Sequence, residues 1–221
     1  MIKTHSLPLI PDLYDQTVAG LKTETRRVVV LKGGNYWCGE TNRWVRVEPS
    51  EYTEVGPTDD GRCGFGVDGH LIEMLKGPYG GPGDLLHVGE ALERIGGPPG
   101  SIARYARDME PALDSVGLYV PWRWKVRTLS GRYCPKIYRR LWLTVESVHV
   151  ERVQEITPSQ CIREGLRRAP VDGHLDGNGY RDEFRALWDS INVERGYGWA
   201  VNPHVWVVRY SVASTTGDPR C

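Results

Sequence analysis

The sequence predicts an α+β protein, a small and mostly antiparallel β-barrel with flanking helices and long loop insertions. Three observations predict it. Short runs rich in β-branched and apolar residues at 25–31, 85–90, 141–150 and 204–210 are separated by long glycine- and proline-rich stretches. That order lacks the regular strand–helix alternation of a doubly wound sheet. The helical signals are few, and 221 residues are long for one ordinary domain and short for two. A single domain over 1–211 with insertions near 32–83 and 96–135, and a flexible tail at 212–221, is therefore expected.

Taken in order, residues 12–21 read as a short helix with Leu13, Val18 and Leu21 as core contacts, stopping near Gly20. "TRRVVVL" reads as a strand, because three consecutive valines favour the pleated backbone. In the glycine-rich stretch that follows, "YWCGETNRWVRV" reads as a hairpin. Glycines and prolines in "GPYGGPGDLL" punctuate a turn, after which Leu85, Leu86 and Val88 suggest a buried strand with Glu90 at its end. "LWLTVESVHVERV" alternates at Leu141, Leu143 and Val145, then changes phase to Val148 and Val150, as a kinked or bulged strand or an open hairpin would. In "ITPSQCIREGL", Thr157 can cap a helix, Pro158 suits its first position, Gln160 can reach back to the cap, and Gly165 is the stop. Phe184, Leu187, Trp188 and Ile191 recur at the spacing of one helical face. "HVWVVRY" is the last strand.

Composition narrows function. The 28 basic and 28 acidic side chains cancel, which removes the bulk attraction that sequence-independent nucleic-acid binders use. Cys38, Cys63, Cys134, Cys161 and Cys221 are odd in number and contain no CxxC pair. Neither a disulfide framework nor a cysteine zinc site is expected, and a reducing cytoplasm fits. The histidines are dispersed without metal-site spacing, so no metal or cofactor is expected. "MIKTHSLPLIPD" is broken by prolines, and no stretch is apolar enough to span a membrane.

The densest chemistry lies in "VAGLKTETRRVVV". Lys22 and Thr25 are three apart, so a helix persisting for that turn would place them on one face. A threonine hydroxyl needs a base to act as a nucleophile, and a lysine held neutral by burial and neighbouring cations, here Arg26 and Arg27, can be that base. The plainer reading makes Lys22 and the arginines a solvated basic edge and the threonines strand formers.

"GLKTETRR", "PGDLLHVGEAL", "PKIYRRLWLTVESVHVERVQEITPSQCIREGL" and "FRALWDSIN", in that order, resemble the ASCH-domain family over segments from about residue 7 to 210. The resemblance implies a PUA-like β-barrel. Small bacterial members are N(4)-acetylcytidine amidohydrolases with a threonine, a lysine and a glutamate as catalytic set, the first two in a "KTxT" motif matched at Lys22, Thr23, Glu24 and Thr25. Glu90 is the candidate glutamate. Longer members read "VRET" where this chain reads "VGEA", so Gly89 replaces an arginine whose contact is either absent here or supplied by Arg94.

The implied reaction is hydrolysis of the amide between an acyl group and the exocyclic amine of cytosine. Thr25 attacks, Lys22 takes its proton, and Glu90 either orients Lys22 or passes a proton to the pyrimidine. A carboxylate merely paired with Lys22 would raise its pKa, the wrong direction for a base. Thr23, Arg26 and Arg27 are candidate substrate contacts, as are Trp122 and Trp124 in "PWRWKVR", where aromatics interleave with cations as in a base-stacking loop. Trp142, Trp188 and Trp206 lie in periodic apolar segments and read as core. The expected partner is a small modified nucleoside or nucleobase, with RNA disfavoured by charge and no membrane. A non-catalytic RNA-binding module and a ribonuclease are the alternatives.

Overall fold

The computed structural model describes residues 2–9, 11–38, 43–48, 51–57, 62–67, 70–97, 100–114, 116–167 and 177–220. His174, Cys221 and the turn of the expected hairpin at 39–42 lie outside the described residues. The chain is a mixed α+β protein with mostly antiparallel sheets and few helices.

Strand β1 (Thr4–Ser6) precedes helix α1 (Pro11–Val18), and β2 spans Glu24–Val28. The hairpin expected from sequence is β3 (Gly34–Cys38) with β4 (Arg43–Val47), antiparallel from Gly34↔Val47 to Cys38↔Arg43. Then come β5 (Thr53–Pro57), β6 (Arg62–Val67) and β7 (His70–Lys76), which form a separate antiparallel sheet. Strands β8 (Leu85–Val88), β9 (Leu92–Ile95), β10 (Ile102–Tyr105) and β11 (Thr128–Leu129) follow. The chain closes with β12 (Leu141–Arg152), α2 (Pro158–Arg163), α3 (Gly177–Asn192) and β13 (His204–Ser214).

The largest sheet has the order β1-β8-β12-β13-β2. It is open, with β1 and β2 as its edges, so the closed barrel expected from sequence does not form. The 32–83 insertion carries five strands, β3 to β7, and the 96–135 insertion carries β10 and β11, which with β9 make a further small sheet. Closure needs the two edge strands to pair, whereas the inserted strands satisfy their backbone groups among themselves.

The chain divides into two compact units, one of residues 1–21, 83–145 and 210–221, the other of 22–82 and 146–209, with β12 and β13 contributing to both. In the first, β1 pairs in parallel with β8, and Leu141–Thr144 of β12 pairs antiparallel with β8. Its smaller core gathers Leu92, Ala103, Tyr105, Ala112, Val120 and Leu129, against which Trp122 and Trp124 pack. Within this unit Gly217 N donates to Arg140 O (3.1 Å).

Gly89 in this unit has a structural explanation. A Cβ at position 89 would collide with the Gly131 carbonyl, and the Arg139 guanidinium carbon lies 3.4 Å from where it would stand. The guanidinium beside Gly89 is therefore that of Arg139, while Arg94 is exposed on β9.

In the second unit β2 pairs antiparallel with β13 from Glu24↔Arg209 to Val28↔Val205. One core cluster joins Val153, Ile156, Cys161, Phe184, Trp188, Val205 and Val207, and another joins Val29, Tyr52, Phe65, Val150 and Trp206. The α2 cap is formed as expected, with Thr157 Oγ1 accepting from Gln160 N (3.4 Å) and Gln160 Oε1 accepting from Thr157 N (2.8 Å). The face of α3 is rotated from the expected one. Phe184 and Trp188 are buried, Ile191 is 45% exposed, and Asn192 takes the buried place, donating to Trp188 O (3.1 Å).

Candidate functional site

Helix α1 ends at Val18, four residues before Lys22, with Gly20 at φ +71°. The helical turn that sequence reasoning invoked to bring Lys22 and Thr25 together is therefore absent. Lys22 instead lies in the extended lead into β2, where Thr23 N donates to Arg163 O (2.9 Å) and fastens this lead to α2. Along β2 the pleat separates side chains by parity. Glu24 and Arg26 bond each other (2.9 Å), and Thr25 and Arg27 bond each other (2.6 Å).

Lys22 is 1% exposed, and its ammonium donates to Glu24 O (2.8 Å), Glu164 O (2.8 Å) and Glu164 Oε2 (2.6 Å). Three acceptors match the three donors of the charged group. Burial pulls the Lys22 pKa below its ordinary value, opposed by Glu164 and reinforced by Arg27 and Arg26. Glu164 is the C-terminal cap residue of α2, just before the left-handed Gly165 (φ +95°). Thus the capped helix read from "ITPSQCIREGL" delivers a carboxylate to Lys22 from the turn where it stops.

The second oxygen of Glu164 faces Arg26 Nη1 at 3.3 Å. Arg26 has a fully buried side chain and also meets Glu24 Oε1 (2.9 Å) and Glu151 Oε1 (2.8 Å from Nε). Burial opposes its charge, but Glu164, Glu151 and Glu24 together hold its pKa above the ordinary value. Arg163 Nε closes the set on Glu24 Oε2 (2.9 Å). Lys22, Arg26 and the partly exposed Arg163 thereby balance Glu24, Glu151 and Glu164, and this pairing allows Lys22, Glu24, Arg26 and Glu164 to be buried.

Thr25 is fully buried, and its Oγ1 accepts from Arg27 Nη1 (2.6 Å), which also donates to Arg26 O (2.8 Å). No hydrogen bond between Lys22 and Thr25 occurs among the described residues.

The remaining candidates lie in the other unit. Glu90 is buried, with Arg140 Nε on Oε2 (2.9 Å), Arg140 Nη2 on Oε1 and Arg107 Nε on Oε1 (3.2 Å). Arg140 in turn stacks on the Tyr105 ring at 3.7 Å and Arg107 on that of Tyr14 at 4.8 Å. Trp122 and Trp124 form an edge-to-face pair (4.9 Å, 68°), and Trp122 Nε1 donates to Val126 O (3.0 Å). Both are half-buried.

Sequence reasoning missed Glu164 as the carboxylate at Lys22. The signal was present, because a capped helix with a defined stop fixes which residue ends it, but only the packing of α2 on the lead into β2 shows where that residue points. Among the described residues no group of three or more His, Cys, Asp and Glu is placed to hold a metal ion, and no helix is long and apolar enough to cross a membrane. No protein-family model, curated protein or solved structure matches the chain.

Proposed function

We propose that the chain is a PUA-like protein of the ASCH family, a cytoplasmic and metal-independent amidohydrolase that removes the acyl group from N(4)-acylcytosine nucleosides such as N(4)-acetylcytidine. The observation that carries this reading is the buried Lys22–Glu164 pair at the entrance to the strand that bears Thr25. It supplies the lysine and carboxylate that a threonine nucleophile needs, within an intact "KTxT" sequence.

The pair also resolves the sign problem of a carboxylate beside a base. In a dry site the ion pair can relax to neutral amine and neutral acid by moving one proton from Lys22 to Glu164. The freed amine releases Glu24 O and Glu164 O, to which it is bonded in the structure, and must swing to Oγ1, which it does not touch there, to take the Thr25 proton as Oγ1 bonds to the acyl carbon. Arg27, already on Oγ1, places positive charge beside the developing oxyanion. As the C–N bond breaks, Glu164 returns its proton to the departing cytosine amine. In the second half the pair relaxes again, Lys22 takes a proton from the attacking water, and Glu164 gives its proton to the departing Thr25 Oγ1, so the acyl group leaves as its acid. Atoms and protons balance over the two halves, and the pair ends as it began.

Incubation with N(4)-acetylcytidine, followed by chromatography for cytidine with and without chelator, tests the proposal. Release of cytidine by the native chain, lost in Thr25→Ala, is the expected result. If the native chain instead cuts or merely binds RNA and releases no cytidine, the ribonuclease or RNA-binding reading replaces this one.

A further inference from the structure

Arg26 is expected from sequence to touch substrate, but its side chain has no exposed surface, and among the described residues its ion-pair partners are the buried or part-buried carboxylates of Glu24, Glu151 and Glu164. Its placement suggests a different task. Glu164 presents one oxygen to Lys22 (2.6 Å) and the other to Arg26 (3.3 Å), so a single carboxylate is shared by two cations. Arg26 is itself anchored from two further sides, by Glu24 on its own strand and by Glu151 on β12. A guanidinium suits this post because its planar fork can hold several oxygens in fixed directions, which a lysine ammonium cannot.

We propose that Arg26 is a positioning residue that governs the charge on Lys22 by competing with it for Glu164. The inference rests on the catalytic use of Lys22 proposed above, but its electrostatic content can be measured without catalysis. Two effects point the same way. Arg26 draws off part of the carboxylate charge that would otherwise hold the proton on Lys22, and it adds a positive charge nearby. Both make the Lys22 ammonium a stronger acid, while the same pull makes Glu164 a weaker acceptor, so Arg26 sets the balance of the shared proton.

The charged groups facing Lys22 from its surroundings are Glu164 on α2, with Arg26 and Arg27 on β2. Glu24 contributes its carbonyl to Lys22 while its carboxylate is held by Arg26 and Arg163, and Glu151 is bonded to Arg26. His149, 3.5 Å from Glu151 and half-exposed, stands at the outer end of this chain of charges.

The test is the titration of Lys22 itself, followed by NMR of lysines labelled at the ε-carbon. The chain has six lysines, so the Lys22 signal can be assigned by its loss in Lys22→Ala. Removing Arg26 alone leaves three carboxylates short of a partner, so the first variant is the charge-balanced Arg26→Met with Glu24→Gln. The second is Arg26→Lys, which keeps the charge and loses the fork. In each the Lys22 midpoint should rise, by about one pH unit or more in the first, whereas in Glu164→Gln it should fall. A structural role alone moves melting temperature and leaves the midpoint in place.

Midpoints that stay put or move oppositely in folded variants overturn the proposal. If they move as expected while the native chain releases no cytidine, Arg26 does govern Lys22 and it is the amidohydrolase reading that fails. If cytidine is released, the acidic limb of kcat/KM should move to higher pH in both Arg26 variants.

Discussion

Glu164 Oε2 lies 2.6 Å from Lys22 Nζ although 142 residues separate them in the chain. Both side chains are buried, so the pair is shielded from solvent screening and its proton has few places to go. Glu164→Gln should therefore lower kcat/KM by about 10²–10⁴-fold, the usual worth of a positioned proton carrier. Lys22→Ala and Thr25→Ala should each remove most activity, and the double variant should be no worse than either single one, because they share one step. Steady-state kinetics with circular dichroism as a folding control decides this. Near-normal turnover in Thr25→Ala would mean that Lys22 activates water directly.

Glu90 should answer to a different assay. Its carboxylate holds Arg140 through both oxygens and Arg107 through one, within a nearly closed polar cluster. Glu90→Gln removes the buried acceptor of two arginines that are partly exposed and keep Asp108 and Asp15 as counter-ions, which costs about 1–3 kcal/mol. The urea midpoint should drop while the folded fraction keeps its kcat/KM. Unchanged stability with lost turnover would restore Glu90 to the chemistry.

On α3, Trp188 is 5% exposed and donates to Tyr197 O (2.8 Å), whereas Ile191 is 45% exposed. Trp188→Ala should cost about 3–5 kcal/mol, and Ile191→Ala no more than about 0.5 kcal/mol. Chemical denaturation of the two variants side by side checks the observed rotation of the helix face, and equal losses would contradict it.

Stability should fall as pH drops below neutrality. Burial, aided by Arg139, lowers the His87 pKa to about 4, and burial, aided by Arg152, does the same for His204. An unfolded histidine titrates near 6.5, so between about pH 6.5 and 4 the unfolded chain binds protons that the native chain does not. Stability therefore rises with pH across that window and is insensitive to these groups below it. The urea midpoint at pH 5 should lie below that at pH 7.5, and replacing both histidines by glutamine should reduce the difference. A midpoint that does not move would refute the assignment.

Much of the local structure was legible because short-range rules governed it. The capping box at Thr157 and Gln160 depends on residues three apart, and the β3–β4 hairpin depends on two extended segments joined by a brief link. The inserted sheet was not legible. In β6, Gly64 and Gly66 alternate with Cys63, Phe65 and Val67, so the three apolar residues that the strand turns to the core stand among glycines that depress the strand signal. The Ile191 error has a similar source. A three-four spacing permits two adjacent faces, and the hydrogen bond of Asn192 to the helix backbone favours the one with a polar residue buried.

From its residues alone the chain determined that Lys22, Thr25, Arg26 and Arg27 would gather at the start of a strand, since neighbours in sequence cannot be far apart. Which faces they take, and what meets them, was decided by tertiary structure. The pleat pairs Thr25 with Arg27 and Glu24 with Arg26, and the docking of α2 brings Glu164 against Lys22. No local pattern encodes that last contact. It exists because burying Lys22 and Arg26 is tolerable only where carboxylates arrive with them, and those come from β2, β12 and the end of α2.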